Sequence, residues 1–330
     1  MPCLSPLRAF QYVTPNDNGK REVTFKRPRN HLYEEVLLPC GKCLGCKLEY
    51  SRQWAVRCVH EASLNGDRNM FLTLTFDSRK VSEDLTYSLE KKLFVDFLKR
   101  FRFRCGKLRY FHCGEYGSLN LRPHHHAIIF GYRFPDLEPY TFHHGSLLYR
   151  SNILEELWPF GFSSIGDVTF ESCAYVARYV TKKLHDSELG DRMPEYLTMS
   201  RKPGIGGLWI EKFFSDVYSQ DRVIVRNGVM CRPPRFYDSV YARQKGDFAL
   251  ENLKVERKLR CGEKCVEVDR LDLETRRRAL SRALVGSTKD IRSVCNALLS
   301  AGQGSREKNK VDLTISRMKL LPRELDLIEV

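Results

Sequence analysis

Hydrophobic and polar positions follow two different periods along the chain, which predict helices interspersed with strands. Apolar residues recur every three or four positions in segments 48–64, 89–101, 150–158 and 172–184, a pattern typical of amphipathic helices. They alternate with polar residues or run continuously in segments 70–77, 108–116, 124–131 and 162–168, which is typical of strands. The order of these segments predicts an α+β fold, in which strands 108–116 and 124–131 form a hairpin around GSLNLRP.

The two ends of the chain differ from this middle part. The first forty residues contain five prolines and are expected to be irregular. SRKPGIGG, after Met199, predicts a loop, and Asn227-Gly228 within RVIVRNGVM predicts a hairpin turn. From residue 241 onward, 20 basic and 14 acidic residues predict a charged extension with helices at 247–260 and 272–285.

Composition narrows the class of protein. With 330 residues, 42% of them hydrophobic, the chain can fill a core, which excludes disorder throughout. Lysine and arginine number 55 against 41 acidic residues, a net charge of +14 that favours a polyanionic partner, nucleic acid above all. No apolar run reaches the roughly 18 residues of a membrane span, and the first residues do not resemble a secretory signal. We therefore expect a soluble protein without a membrane partner.

Strand 124–131 begins with three consecutive histidines. His124 and His126 are expected on one face of the strand and His125 on the other. Hairpin pairing places Glu115 beside His124 on the same face. Two imidazoles and a carboxylate suit a divalent ion, such as Mg²⁺ or Mn²⁺, that also binds a phosphate oxygen. The alternatives are a surface run of histidines and an ordinary carboxylate at a strand end.

A second group of candidate residues lies on helix 172–184. Tyr175, Tyr179 and Lys182 fall on one stripe of the helix, while an apolar face lies on the far side, so neither tyrosine is needed for that core. Tyrosines four residues apart are commonly packing or surface residues. Beside a metal site, however, the stripe fits phosphoryl transfer to a phenol oxygen.

These segments together resemble a known family. The order FLTLTFD, GEYG, RPHHHAIIFG and YVARYVTKK resembles the HUH endonucleases that start rolling-circle replication, specifically the two-tyrosine initiators of the Microviridae. PCGKCLGC, the helix with Trp54 and Arg57, and MSRKPGIG resemble its gokushovirus branch, and the resemblance extends to about residue 245. His125 departs from the family pattern, which has a bulky apolar residue there, and adds a competing candidate ligand.

The resemblance implies a fold, a reaction and partners. It implies an HUH-type antiparallel sheet, ferredoxin- or RRM-like with flanking helices, at 48–245, between an irregular segment with a cysteine cluster at 1–47 and a basic helical extension at 246–330. His124, His126 and Glu115 would hold the metal ion. Tyr175 or Tyr179, assisted by Lys182, would attack phage DNA at the origin, keep its 5′ phosphate and later rejoin the single-stranded circle. Because no GxxxxGK[ST] motif is present, host helicase and polymerase are implied partners, in the host cell cytoplasm.

The cysteines of PCGKCLGC form a separate candidate site. Cys40, Cys43 and Cys46 have a spacing that suits structural Zn²⁺, which needs a fourth ligand. The candidates for that ligand are Cys3, Cys58, His31 and His60. Free, packed cysteines and an iron–sulfur cluster are the alternatives, the latter disfavoured because the expected cysteine followed by proline is absent.

A different class of function also fits the basic charge and the cysteines. A non-enzymatic, zinc-containing protein could bind phage single-stranded DNA through basic helices and aromatic side chains. Formation of a covalent protein–DNA adduct distinguishes the two functions, because only the enzyme forms one.

Overall fold

The computed structural model describes residues 3–260 except 18–20, 30, 118–119, 144–145, 180–188 and 227. The chain divides into two compact units, and their described parts are separated between Glu49 and Tyr50. The helix predicted at 272–285 lies outside the described residues. Within the described ranges, no helix has both the length and the apolar character needed to cross a membrane.

The first unit contains a three-stranded antiparallel sheet, so the prediction of an irregular N-terminal segment is wrong. Its strands are β1 (Leu7–Tyr12), β2 (Val23–Thr24) and β3 (Tyr33–Leu38), with β1 in the centre. The prolines misled because Pro6 and Pro39 flank the strands and do not interrupt them. Phe10 of β1 is buried and packs edge-on against the ring of Tyr33, with centroids 5.2 Å apart.

The second unit is built on a seven-stranded antiparallel sheet of order β10-β5-β6-β4-β9-β8-β7. The strands are β4 (Asn69–Thr75), β5 (Arg109–Tyr116), β6 (Pro123–Phe130), β7 (Glu138–His143), β8 (Ser146–Arg150), β9 (Ser163–Gly166) and β10 (Tyr196–Met199). The predicted α+β fold with an antiparallel sheet and flanking helices is confirmed, including the β5–β6 hairpin. Strands β7, β8 and β10 were not predicted.

Helices flank this sheet and extend beyond it. They are α1 (Leu44–Ser63), α2 (Glu83–Tyr87), α3 (Lys91–Cys105), α4 (Asn152–Leu157), α5 (Phe170–Tyr179), α6 (Gly207–Lys212), α7 (Phe214–Gln220), α8 (Arg235–Lys245) and α9 (Asp247–Arg260). At the start of α5, the backbone N–H of Ser172 donates to Oγ1 of Thr169 and the N–H of Thr169 donates to Oγ of Ser172. This reciprocal cap fixes where α5 begins. The rest of the predicted helix 172–184 lies outside the described residues.

Strand β4 shows how the sheet separates two apolar layers. Leu72 and Leu74 point to one side, into a core shared with the phenylalanines of α3 and with Trp158. Phe71 points to the other side, into a core shared with α1 and α5. Both faces of the central strands are therefore covered, which explains why β6 is buried along its whole length.

The C-terminal part of the second unit forms a smaller core. The predicted hairpin is confirmed as β11 (Val223–Arg226) and β12 (Val229–Cys231), with Gly228 at φ +74°. Helix α9 has the bounds that the sequence predicts. Its buried Arg257 donates hydrogen bonds to the carboxylates of Asp221 and Asp238, which attach α9 to α7 and α8.

Candidate active site and cysteine cluster

The three histidines of β6 lie near the centre of the sheet, between β5 and β4. The ring of His126 lies 5.2 Å from that of Tyr175 in α5, whereas the ring of His125 lies 5.8 Å from that of Phe94 in α3. The rings of His124 and His126 are stacked 6.3 Å apart on the α5 face. The alternation of faces expected for a strand is thus confirmed.

Glu115 of β5 lies on the same face as His124 and His126. The register pairs Glu115 directly with His124, as the hairpin predicted, and its Oε1 lies 2.7 Å from Nε2 of His126. All three side chains are buried. The neighbouring Gly114 is required by close packing, since a Cβ there would lie 2.7 Å from the ring of Tyr196. The structure therefore brings together the three residues predicted as metal ligands.

Thr73 of β4 was not predicted as part of this site. It pairs with His126 in the sheet, and its Oγ1 lies 3.1 Å from Nδ1 of that histidine. Burial lowers the pKa of His126 to about 3, so the ring is neutral at pH 7. A neutral imidazole has one donor and one acceptor nitrogen, and a hydroxyl can act as either, so Thr73 can hydrogen-bond to Nδ1 in both tautomers.

Tyr175 lies in the core, which corrects the expectation that it is not needed there. Its side chain is 3% exposed, and its ring packs against Phe71, with centroids 6.2 Å apart, as well as against His126. The reason is that α5 is covered on two sides, by the sheet and by α1, whose Ser51 hydroxyl donates to the carbonyl of Ala174. A pattern with one apolar face cannot represent a helix buried on two.

The other two residues of the predicted stripe are only partly placed. Tyr179 is the last residue of α5, one turn after Tyr175, and its side chain is outside the described part of the structure. Lys182 lies outside the described residues altogether. The structure therefore brings Tyr175 alone of this stripe to the histidines.

His125 belongs to the opposite face and does not compete with His124 or His126 for a ligand there. Its Nδ1 lies 3.2 Å from Nε2 of His112, whose Nδ1 lies 2.9 Å from the hydroxyl of Thr198. The ring of Phe94 stacks on His112 with centroids 3.3 Å apart. Burial lowers the pKa of His125 to about 3 and that of His112 well below its usual value, so both rings are neutral.

The first unit contains a compact cluster of four cysteines. The Sγ atoms of Cys3, Cys40, Cys43 and Cys46 all lie within 4.8 Å of one another. Over the described ranges, this is the one set of three or more histidine, cysteine or acidic side chains that meets this distance, so the ligand atoms of Glu115, His124 and His126 are more widely spaced.

Backbone N–H groups support the cluster. Those of Leu4, Cys40 and Cys43 donate to the sulfurs of Cys43, Cys3 and Cys40, each at 3.3 Å. Burial opposes ionisation of Cys40, but hydrogen bonds from the N–H groups of Cys43 and Lys42 lower its pKa to about 7.

Cys3 is thus the fourth member of the cluster among the four candidates from the sequence. The others have partners elsewhere: His60 lies 2.9 Å from the hydroxyl of Tyr237, and Cys58 is buried in the core beside Cys173. His31 packs edge-on against Tyr12.

Comparison with known proteins identifies the class to which this fold and these residues belong. The family model "Replication-associated protein ORF2/G2P" matches residues 69–184, which include β4, the β5–β6 hairpin and α5. The chain is 32% identical to the replication-associated protein VP4 of Bdellovibrio phage phiMH2K, over 74% of this chain and 78% of that protein. It is 29% identical to the replication-associated protein ORF2 of Spiroplasma virus 4, over 78% of this chain and 86% of that protein.

The chain therefore belongs to the replication-associated proteins of Microviridae-like phages, as its motifs predicted. A third relative, the replication-associated protein ORF4 of Chlamydia phage 1, is 31% identical over 61% of this chain and 52% of its own length. No solved structure matches the chain significantly.

We expect the stability of the protein to fall in mild acid, partly through His125. Because its folded pKa is about 3 against about 6.5 when exposed, its contribution is fully present above that higher pH and is lost as the pH falls towards the folded value. Between pH 6.5 and about 5, the wild type should lose about 1.4 kcal/mol per pH unit more than His125→Leu. Urea unfolding over a pH series measures both slopes.

The comparison of slopes is needed because His125→Leu also removes a partner of His112, which lowers stability at every pH. Parallel pH profiles of the two proteins would contradict the assignment of His125 as a buried neutral base.

Proposed function

We propose that this protein initiates rolling-circle replication of a phage genome by nicking DNA at its origin and transferring the strand through a phosphotyrosine. The observation that carries the proposal is the contact between Tyr175 and His126, in a cluster with Glu115, within a replication-associated protein. A phenol beside a group of metal-binding side chains is the arrangement that covalent strand transfer needs.

The reaction exchanges one phosphodiester for another. The tyrosine oxygen forms a bond to phosphorus, the bond from phosphorus to the 3′ oxygen breaks, and the phenol proton is transferred overall to the 3′ hydroxyl. The protein then holds the 5′ phosphate, and the free 3′ hydroxyl can prime synthesis. Attack by that or a new 3′ hydroxyl on the phosphotyrosine reverses the step and closes the displaced circle. No energy source is needed, because the number of phosphoester bonds is unchanged.

Glu115, His124 and His126 would hold the divalent ion, Mg²⁺ or Mn²⁺. The donor set fits, because it combines a carboxylate with two imidazoles on one buried face. When bound, such an ion supplies positive charge next to a non-bridging phosphate oxygen. Thr73 would orient the ring of His126, since its hydroxyl reaches Nδ1 and leaves Nε2 for the site.

The two tyrosines would act in turn, with Lys182 helping to remove the phenol proton. Tyr175 and Tyr179 are one turn apart on α5, and residues at this spacing are neighbours at about 5–6 Å between Cβ atoms. A second hydroxyl is required because the first, once esterified, cannot attack again. We assign this chemistry to a domain at 48–245, with segments 1–47 and 246–330 outside it.

The substrates in this proposal are the replicative-form origin and the phage single strand. Host helicase and polymerase would act with the protein in the host cell cytoplasm. A non-enzymatic DNA-binding role remains the contrasting function, and it predicts binding without an adduct.

We further propose that the four cysteines of the first unit hold structural Zn²⁺. Four sulfurs within 4.8 Å of one another provide the ligand set of a closed tetrahedral site. Cys3 and Cys40 are far apart in sequence, so one ion would fasten the start of the chain to the segment after β3. Because site assembly contributes to folding, loss of the ion should weaken this unit.

Replacement of either metal-ligand histidine tests the proposed enzyme. With a labelled origin oligonucleotide and Mg²⁺ or Mn²⁺, His124→Ala and His126→Ala should each reduce the denaturant-resistant protein–DNA adduct by more than about 100-fold. DNA binding, measured by fluorescence anisotropy, should be largely retained, because lysine and arginine contacts to phosphate supply most of it. His125→Ala serves as the matched control and should affect the adduct less. Wild-type adduct levels in the double variant His124→Ala, His126→Ala would overturn the site.

The tyrosine relay predicts a division of labour. Tyr175→Phe and Tyr179→Phe should each retain some cleavage but impair release of circular product, and the double variant should form no adduct. Peptide mapping of the wild-type adduct identifies the attached residue. Attachment only to a different residue would exclude the mechanism, and normal circle release by either single variant would exclude the relay.

The zinc proposal predicts the metal content of cysteine variants. Cys3→Ser and Cys43→Ser should each lower bound zinc, measured by mass spectrometry on protein purified without chelators, and lower the melting temperature. Cys58→Ala is the matched control, because Cys58 is buried in a separate apolar cluster, and it should retain zinc. Zinc-free wild-type protein, or zinc retained after Cys3→Ser, would contradict the four-cysteine site.

A further inference from the structure

The outward side of α3 carries an exposed aromatic ring among cations. The inward side of this helix is buried through Phe94, Phe97, Leu98 and Phe101. Phe103, by contrast, is 96% exposed, the highest value for a large hydrophobic side chain over the described ranges. A ring this exposed adds nothing to the core, so its presence on the surface calls for another explanation.

Basic side chains surround that ring. Helix α3 contains six basic residues and one acidic residue, Asp96. Lys99 precedes Phe103 by one turn, and Arg102 and Arg104 are its direct neighbours; all three are exposed. Lys99 pairs with Asp96 and Arg104 with Glu156, both at the surface. Exposed ion pairs of this kind contribute little, so a phosphate can replace the carboxylates at low cost.

This combination fits single-stranded DNA better than other partners. Cations hold the phosphates, and an exposed ring stacks on an unpaired base. A duplex offers no such base, because its bases are already stacked on one another. A protein partner would favour a wider apolar patch with few charges at its centre, whereas Phe103 stands alone among lysine and arginine side chains.

We propose that Lys99, Arg102, Phe103 and Arg104 form a single-strand binding surface, the α3 surface, separate from the candidate active site. Helix α3 packs on the sheet face that carries His125, whereas His124 and His126 lie on the opposite face. A strand on the α3 surface is therefore on the other side of the sheet from the proposed scissile phosphate. The surface holds a different segment of the same strand or a displaced strand, and it works without the nicking chemistry.

Binding of a labelled homopolymeric thymidine oligonucleotide tests the α3 surface. In anisotropy titrations, Phe103→Ala should weaken binding by at least about fivefold, the lower end of the effect of losing one stacked base. Phe103→Trp should restore affinity, because it retains a ring. Val95→Ala, also an exposed position of α3, is the matched control and should bind like the wild type.

Salt dependence tests the charged part of the surface. The double variant Lys99→Gln, Arg102→Gln should reduce the slope of log affinity against log salt by about 1.4, which corresponds to two phosphate contacts to a single strand. Because these side chains are exposed, melting temperatures should stay close to that of the wild type. An unchanged slope would overturn the phosphate contacts.

Two further measurements separate this inference from the proposed function. His124→Ala should bind the oligonucleotide like the wild type, and Phe103→Ala should still form an adduct with a short origin oligonucleotide. Unchanged single-strand affinity in Phe103→Ala would overturn the α3 surface and favour a protein partner for the ring. Equal loss of affinity for a fully paired duplex would also overturn it, because a duplex cannot stack on Phe103.

Discussion

The backbone register between β5 and β6 is the constraint on which the candidate site depends. Because side chains alternate along a strand, a slip of one residue would move His124 and His126 to the α3 face. Apolar residues further along β6 prevent this slip: Ile128 is buried in the core with α5, and Ile129 in the core with α3. Apolar burial at one end of the strand thus fixes polar side chains at the other, without any attraction between the polar groups.

The sequence predicts what depends on local pattern. The pairing of Glu115 with His124 follows from the position of the turn and the period of the two strands, both readable over a few residues. The contact between Thr73 and His126 does not, because it requires knowing that β4 pairs with β6. The place of Cys3 in the cysteine cluster is similar: spacing identifies Cys40, Cys43 and Cys46, whereas the fourth ligand comes from a distant part of the chain.

Burial of Tyr175 shows a different limit. Helical periodicity predicts one apolar face, and on that basis a tyrosine outside the face is assigned to the surface. Helix α5 lies between the sheet and α1, so residues on two sides of it are buried. The consequence is chemical as well as structural, since a buried phenol beside His126 is shielded from water. DNA has to gain access to that position, and the end of α5 at Tyr179 is the nearest point where the described helix stops.

The two faces of β6 satisfy their buried histidines in different ways. On the α5 face, His126 has partners at both nitrogens, Thr73 and Glu115, and the threonine hydroxyl can donate or accept. On the α3 face, Nε2 of His125 has no hydrogen-bond partner in the described part of the structure. Leaving a buried polar atom unsatisfied costs about 1–3 kcal/mol, which the fold bears on the face without the candidate site. On the opposite face, the hydroxyl of Thr73 lets the ring change tautomer without losing its partner, so His126 can exchange the contact with Glu115 for a ligand while it stays buried.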